Sequence, residues 1–141
     1  GAKMIMAQSC SAVPKFTVMC NGSFGAGNYG MCGRAFDGRL LFAWPNHQIG
    51  VMGGDQAANT LAEVKLNQMK RSGQVDQAEV DRVWEETRKA YQEQLSAYYS
   101  TSQLWDDGII DPVDTRNALG IAISASLNAP LGDPGYGVFR F

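Results

Sequence analysis

Residues 22–33 read Gly-Ser-Phe-Gly-Ala-Gly-Asn-Tyr-Gly-Met-Cys-Gly, a glycine-dense stretch directly after the apolar, β-favouring run Phe16–Cys20. Glycines let a main chain approach a ligand closely and accept positive φ. Where a strand turns into a helix, free N–H groups point outward at the positive helix end. Two such donors can hold an oxygen that becomes negative in a transition state, each worth roughly 2.7–4 kcal/mol. The same residues also spell Gly25-x-Gly27-x-x-Gly30, the fingerprint of a dinucleotide-binding module. That use wants an acidic residue at the end of the next strand to hold a ribose hydroxyl. The next strand ends Ala43-Trp44-Pro45-Asn46, while Asp37 comes too early and Asp55 too late. A tight, closely packed turn is a third use of the same glycines.

Side-chain chemistry is harder to assemble. Gly22-Ser23-Phe24-Gly25 is not GxSxG, because serine follows the glycine directly. Cys20, Cys32 and His47 would meet only by tertiary accident, and Pro45-Asn46 puts His47 in a loop, as a hydrogen-bonded structural histidine. Asp106, Asp107 and Asp111 lack the ligand spacing of a calcium loop and suit turns and caps. No metal site is expected. Candidate chemistry therefore rests on backbone donors.

The elements that must position these donors follow from the rest of the 141 residues, which are 45% hydrophobic and 18% charged with a formal charge of −2. Nucleic-acid binding would need a basic excess, and no apolar run reaches the ~18 residues of a membrane span. Cys10, Cys20 and Cys32 are an odd set without CxxC spacing, read as reduced thiols in a reducing compartment. Charges crowd into residues 61–100 and are sparse in 1–60, so the first segment is expected to be buried or to face a partner. Gly1 to Ala12 reads as the remainder of a helix, so the chain is expected to be a piece of a longer one.

Phe16–Cys20 and Leu40–Trp44 suit strands buried on both faces, as in parallel sheets. Val51-Met52-Gly53-Gly54 is a turn into a helix from Asp55, its N-cap, to Ser72, with Gly73 beyond. A second helix opens on Asp76 and Glu79 as a capping box. Its stripe is Val80, Val83, Trp84, Tyr91 and Leu95. Trp105 to Asp111 reads as a turn and short strand, and Pro112 to Leu127 as a final helix. Strands alternating with helices make an α/β protein.

The order Gly22–Arg34, Trp44-Pro45-Asn46, Val51–Ala58, Trp105–Arg116, Leu127–Pro130 and Gly137–Phe141 resembles the carboxyltransferase (β) subunit of biotin-dependent acyl-CoA carboxylases, of the methylcrotonyl-CoA and geranyl-CoA carboxylase type. The resemblance covers essentially the whole chain, but only the later part of that subunit. It implies a crotonase-like fold of ββα units. Residues 1–141 would be the C-terminal part of the carboxyltransferase C-domain, without the N-domain and the start of the C-domain.

The resemblance further implies carboxyl transfer from carboxybiotin to the γ carbon of a branched enoyl-CoA. The biotin rides on a partner α subunit, and ATP and Mg serve only the partner biotin carboxylase. Matched motif to motif, the amides that hold the biotin carbonyl oxygen fall at Ala26 and Gly27. Phe24, Gly25 and Tyr29 flank them, and Met52 and Gly53 at the next strand-to-helix turn border the pocket. The implied setting is a hexameric core of β subunits, in bacterial cytoplasm or mitochondrial matrix. The Asp76–Leu95 helix would serve subunit packing. A non-catalytic packing fragment remains the alternative for the chain by itself.

Overall fold

The computed structural model describes residues 1–130; the Gly137–Phe141 motif lies outside them. Ala2–Cys10 forms α1, which has no buried residue. Phe16–Met19 (β1) and Leu40–Ala43 (β3) pair in parallel, from Phe16 opposite Leu40 to Met19 opposite Ala43. Gly22–Phe24 (β2) pairs in parallel with Gln48–Gly50 (β4), Phe24 standing opposite Gly50. Met19, Leu41 and Ala43 form the core of the strand layer, with Ile49 and Ile109 packed against it. The expectation of two fully covered strands is corrected: in β1 only Met19 is buried, because each sheet has just two strands and its outer positions lack a covering neighbour.

Gly54–Ser72 (α3) and Gln77–Gln94 (α4) make an antiparallel hairpin joined through Gly73, which takes φ +74°. The N-cap of α3 is Gly53 rather than Asp55, since Gly53 holds the extended cap conformation. Asp55 lies in the first turn and accepts from Arg88 Nε at 2.9 Å. Asp76 does cap α4, accepting from Ala78 N at 3.0 Å. Glu79 does not reach back to complete the capping box: it pairs with Lys65 at 3.4 Å and Arg82 at 2.6 Å, and a carboxylate near two cations is better satisfied there. The expected stripe packs on α3, with Val80 and Leu95 buried and Trp84 Nε1 donating to Asn59 Oδ1 at 2.7 Å.

Ala97–Ser102 forms a short helix, α5, capped by Ser96. The expected strand after Trp105 is reduced to one parallel bridge, Ile109 to Ala43. The last helix starts later than expected, because Asp111 caps a 3-10 turn at Pro112–Asp114 before α6 (Thr115–Ser126) begins.

The turn between β3 and β4 is stitched back onto the β1–β2 junction. His47 is 1% exposed, and its Nδ1 lies 2.9 Å from the Asn21 carbonyl, which also accepts from Gln48 N at 3.2 Å. A carbonyl only accepts, so Nδ1 carries the proton. Among the described residues His47 Nε2 is buried without a partner. Burial lowers the His47 pKa below 6.5, against the opposing effects of the Asn21 bond and the Asp106 charge. The unfolded chain therefore binds this proton more readily, so the stabilisation is complete above about pH 6.5 and declines as pH falls through the folded value. Thermal melts of the full-length subunit should show an acid loss below about pH 6.5 that His47→Gln flattens; parallel pH profiles would exclude this role.

Candidate functional site

β2 runs straight into Gly25–Gly30 (α2), with Phe24 at the N-cap position in an extended conformation and no side chain capping the helix. Among the described residues neither Ala26 N–H nor Gly27 N–H has a hydrogen-bond partner, and both residues are exposed. Gly25 takes φ +53°, and a Cβ there would stand 3.0 Å from the Val51 carbonyl oxygen. Glycine is required on both counts, since left-handed backbone costs a side-chain-bearing residue about 1–2 kcal/mol.

The turn faces a mostly apolar groove of about 580 Å³, lined by Gly25, Ala26, Tyr29, Ile49, Val51 and Trp105 among others. A second hollow of about 570 Å³ runs along β1 and includes Phe24 and Gly27. Ala26 thus lines the first hollow and Gly27 the second. Tyr29 is half exposed and meets Phe36 edge-on, with ring centroids 5.7 Å apart. At the β4–α3 turn Val51 lines the groove, whereas Met52 and Gly53 are not among its lining residues: Met52 is half-buried and Gly53 caps α3.

Arg34, also on the groove, pairs with Asp107 at 2.9 Å, and the other oxygen of that carboxylate accepts from Leu41 N at 2.7 Å. Asp106 is buried and accepts from Ser100, Thr101 and the Gly108 N–H. Asp111 caps the following turn. The three aspartates are thus occupied by turns, a cap and an ion pair. Among the described residues no three His, Cys, Asp or Glu side chains gather as a metal site. Among the described residues neither Cys20 nor Cys32 is hydrogen-bonded to His47, whose ring is held by the Asn21 carbonyl. Val51, Trp105 and Arg34 fall within the ordered motifs, but their spacing does not mark them as groove residues, because each reaches the groove through tertiary packing.

Parallel strand–turn–helix units of this kind make the α/β architecture crotonase-like. The structure aligns with the β subunit of P. aeruginosa geranyl-CoA carboxylase at a TM-score of 0.80 and 40% identity, over 99% of this chain and 27% of that one. It also aligns with transcarboxylase 12S, described as a hexamer assembly with substrate binding to a multienzyme core, at a TM-score of 0.76 and 29% identity, over 99% and 25% of the two chains. Residues 1–135 match the carboxyl transferase domain, and the chain belongs to that family. It is 51% identical over 141 residues to the mitochondrial methylcrotonoyl-CoA carboxylase beta chain of Arabidopsis thaliana, covering 99% of this chain and 24% of that protein. A Mycobacterium tuberculosis biotin-dependent 3-methylcrotonyl-coenzyme A carboxylase beta1 subunit is also 51% identical, with 99% and 27% covered. The chain spans about a quarter of the length of these relatives.

The geometry separates two neighbouring glycines. Gly25→Ala should cost about 1–2 kcal/mol and lower the melting temperature of the full-length subunit. A Cβ at position 27 meets nothing within 4 Å, so Gly27→Ala should melt close to wild type. Equal melting temperatures for wild type and Gly25→Ala would contradict the assigned backbone.

Proposed function

We propose that residues 1–141 are the C-terminal part of the carboxyltransferase C-domain of a biotin-dependent acyl-CoA carboxylase acting on 3-methylcrotonyl-CoA, geranyl-CoA or a related branched enoyl-CoA. The observation that carries this reading is the pair of unpartnered N–H groups of Ala26 and Gly27, presented beside an apolar groove. Those features fit the ureido end of biotin, whose carbonyl oxygen is an acceptor and whose rings are largely apolar. When bound in carboxylated form, biotin supplies the CO2 and then a basic nitrogen.

The chain's own residues do the positioning. Ala26 and Gly27 donate to the oxygen as it gains negative charge, and no reorientation is needed at that moment because the turn is already formed. Ile49, Val51 and Trp105 keep one side apolar, so that closure of the groove by a neighbouring subunit would lower the local dielectric and strengthen those hydrogen bonds. Tyr29 and Phe24 flank the donors, while Met52 and Gly53 support Val51 from the following turn. With Arg34 tied to Asp107, the reaction does not need a side-chain acid or base from this turn.

In this reading the other wall of the site, including most of the acyl-CoA site, comes from the N-domain of a neighbouring β subunit in a hexameric core. A biotin-carrying α subunit docks on that core, with ATP and Mg used by its biotin carboxylase. We expect no turnover from the 141-residue chain alone. The relatives include mitochondrial and bacterial proteins, in keeping with mitochondrial matrix or bacterial cytoplasm. Among the described residues no helix is long and apolar enough to cross a membrane.

Gly27→Pro removes one donor. In the full-length subunit with its α partner, carboxylation should fall at least about 100-fold, with acyl-CoA binding largely kept. Near-normal turnover by a folded Gly27→Pro enzyme would overturn the donor assignment.

A further inference from the structure

The turn that presents Ala26 and Gly27 is closed by a side-chain clasp. Asn28 Nδ2 donates to Ser23 Oγ at 2.9 Å, and the residues between them, Phe24 to Gly27, are the turn itself. The clasp is braced on its far side, where the Asn28 carbonyl accepts from Gly33 N at 3.0 Å. A Cβ on Gly33 would collide with Asn28 Oδ1, so the bare glycine leaves space for the carboxamide. Ser23 in turn is fixed by β2, standing opposite Ile49 of β4.

The position of the clasp has a chemical reason. A serine or aspartate at an N-cap accepts from the N–H two or three residues on, and from position 24 those groups are Ala26 and Gly27. A conventional cap would therefore consume the donors. Phe24 has no acceptor and leaves them free. The cost is a helix of six residues without a cap, whose entry is free to fray. A bond from residue 23 to residue 28 restrains that entry from outside the donor pair and occupies neither N–H.

We propose that Ser23 and Asn28 are positioning residues that aim the Ala26 and Gly27 N–H groups. This deepens the carboxyltransferase reading and rests on it. The test uses the full-length β subunit assembled with its α partner. Ser23→Ala and Asn28→Ala should each lower kcat about 10- to 100-fold, the scale of a misplacement near 1 Å, with KM for the acyl-CoA within about twofold of wild type. The double variant should be no slower than the slower single variant, because both remove one bond. Ser23→Thr should keep kcat within about threefold of wild type, since it retains a hydroxyl acceptor for Asn28 Nδ2 and adds no charge.

If either alanine variant fails to assemble, Ser23→Cys, which keeps the size and weakens the acceptor, takes its place with a kcat loss of at least about fivefold at unchanged KM. The clasp is overturned if the variants keep wild-type kcat, if losses multiply in the double variant, if Ser23→Thr is as slow as Ser23→Ala, or if kcat falls only together with melting temperature and KM. Gly27→Pro in the same assay tells the two failures apart. An unaffected Gly27→Pro enzyme sinks the donor reading, whereas a crippled one beside fully active clasp variants sinks the clasp alone.

Discussion

A helix start can satisfy its own N–H groups or offer them to a ligand, but one N–H cannot do both at once. The rest of this structure depends on how that conflict is resolved at Phe24. An apolar residue at the cap position leaves Ala26 and Gly27 unpartnered among the described residues. Buried, such groups would each cost about 1–3 kcal/mol. Here they lie exposed beside a groove, where that burial cost does not arise.

The scaffold around the turn is arranged to hold an uncapped start. Parallel pairing of β2 with β4 sets Phe24 against Gly50, and the next carbonyl, Val51, comes so near Gly25 that no side chain fits there. The β1–β2 junction is held by His47, Gln48 and Asn46, which bond the Asn21 and Cys20 carbonyls. Asp107 ties Arg34 to β3, fixing the segment after α2. These ties sit on both sides of the donor turn without using its N–H groups. The α3–α4 hairpin packs chiefly on itself, through Val80, Trp84 and the Asp55–Arg88 pair, although Leu95 at its end lies close to Gly50 and Gly54.

Much of this was legible in the residues. The apolar runs Phe16–Cys20 and Leu40–Trp44 marked β1 and β3, the caps and apolar stripe marked α3 and α4, and the glycine run marked a strand-to-helix turn. β2, β4 and α5 were not legible, since three, three and six residues are too few to show a period. The Asp55 and Glu79 caps were misread because each carboxylate has a cation brought near by the α3–α4 packing. The Ser23–Asn28 bond was hidden for another reason: nothing in spacing alone distinguishes two polar residues that face each other from two that face water. Resemblance across several ordered motifs supplied the chemistry that the glycine pattern alone left open between a dinucleotide, an oxyanion and a tight turn.

The most direct measurement is a structure of the full-length β subunit with biotin bound. The account predicts the ureido carbonyl oxygen about 2.7–3.1 Å from the main-chain nitrogens of Ala26 and Gly27. A biotin ring seated away from this turn, with both N–H groups bonded inside their own segment, would contradict it.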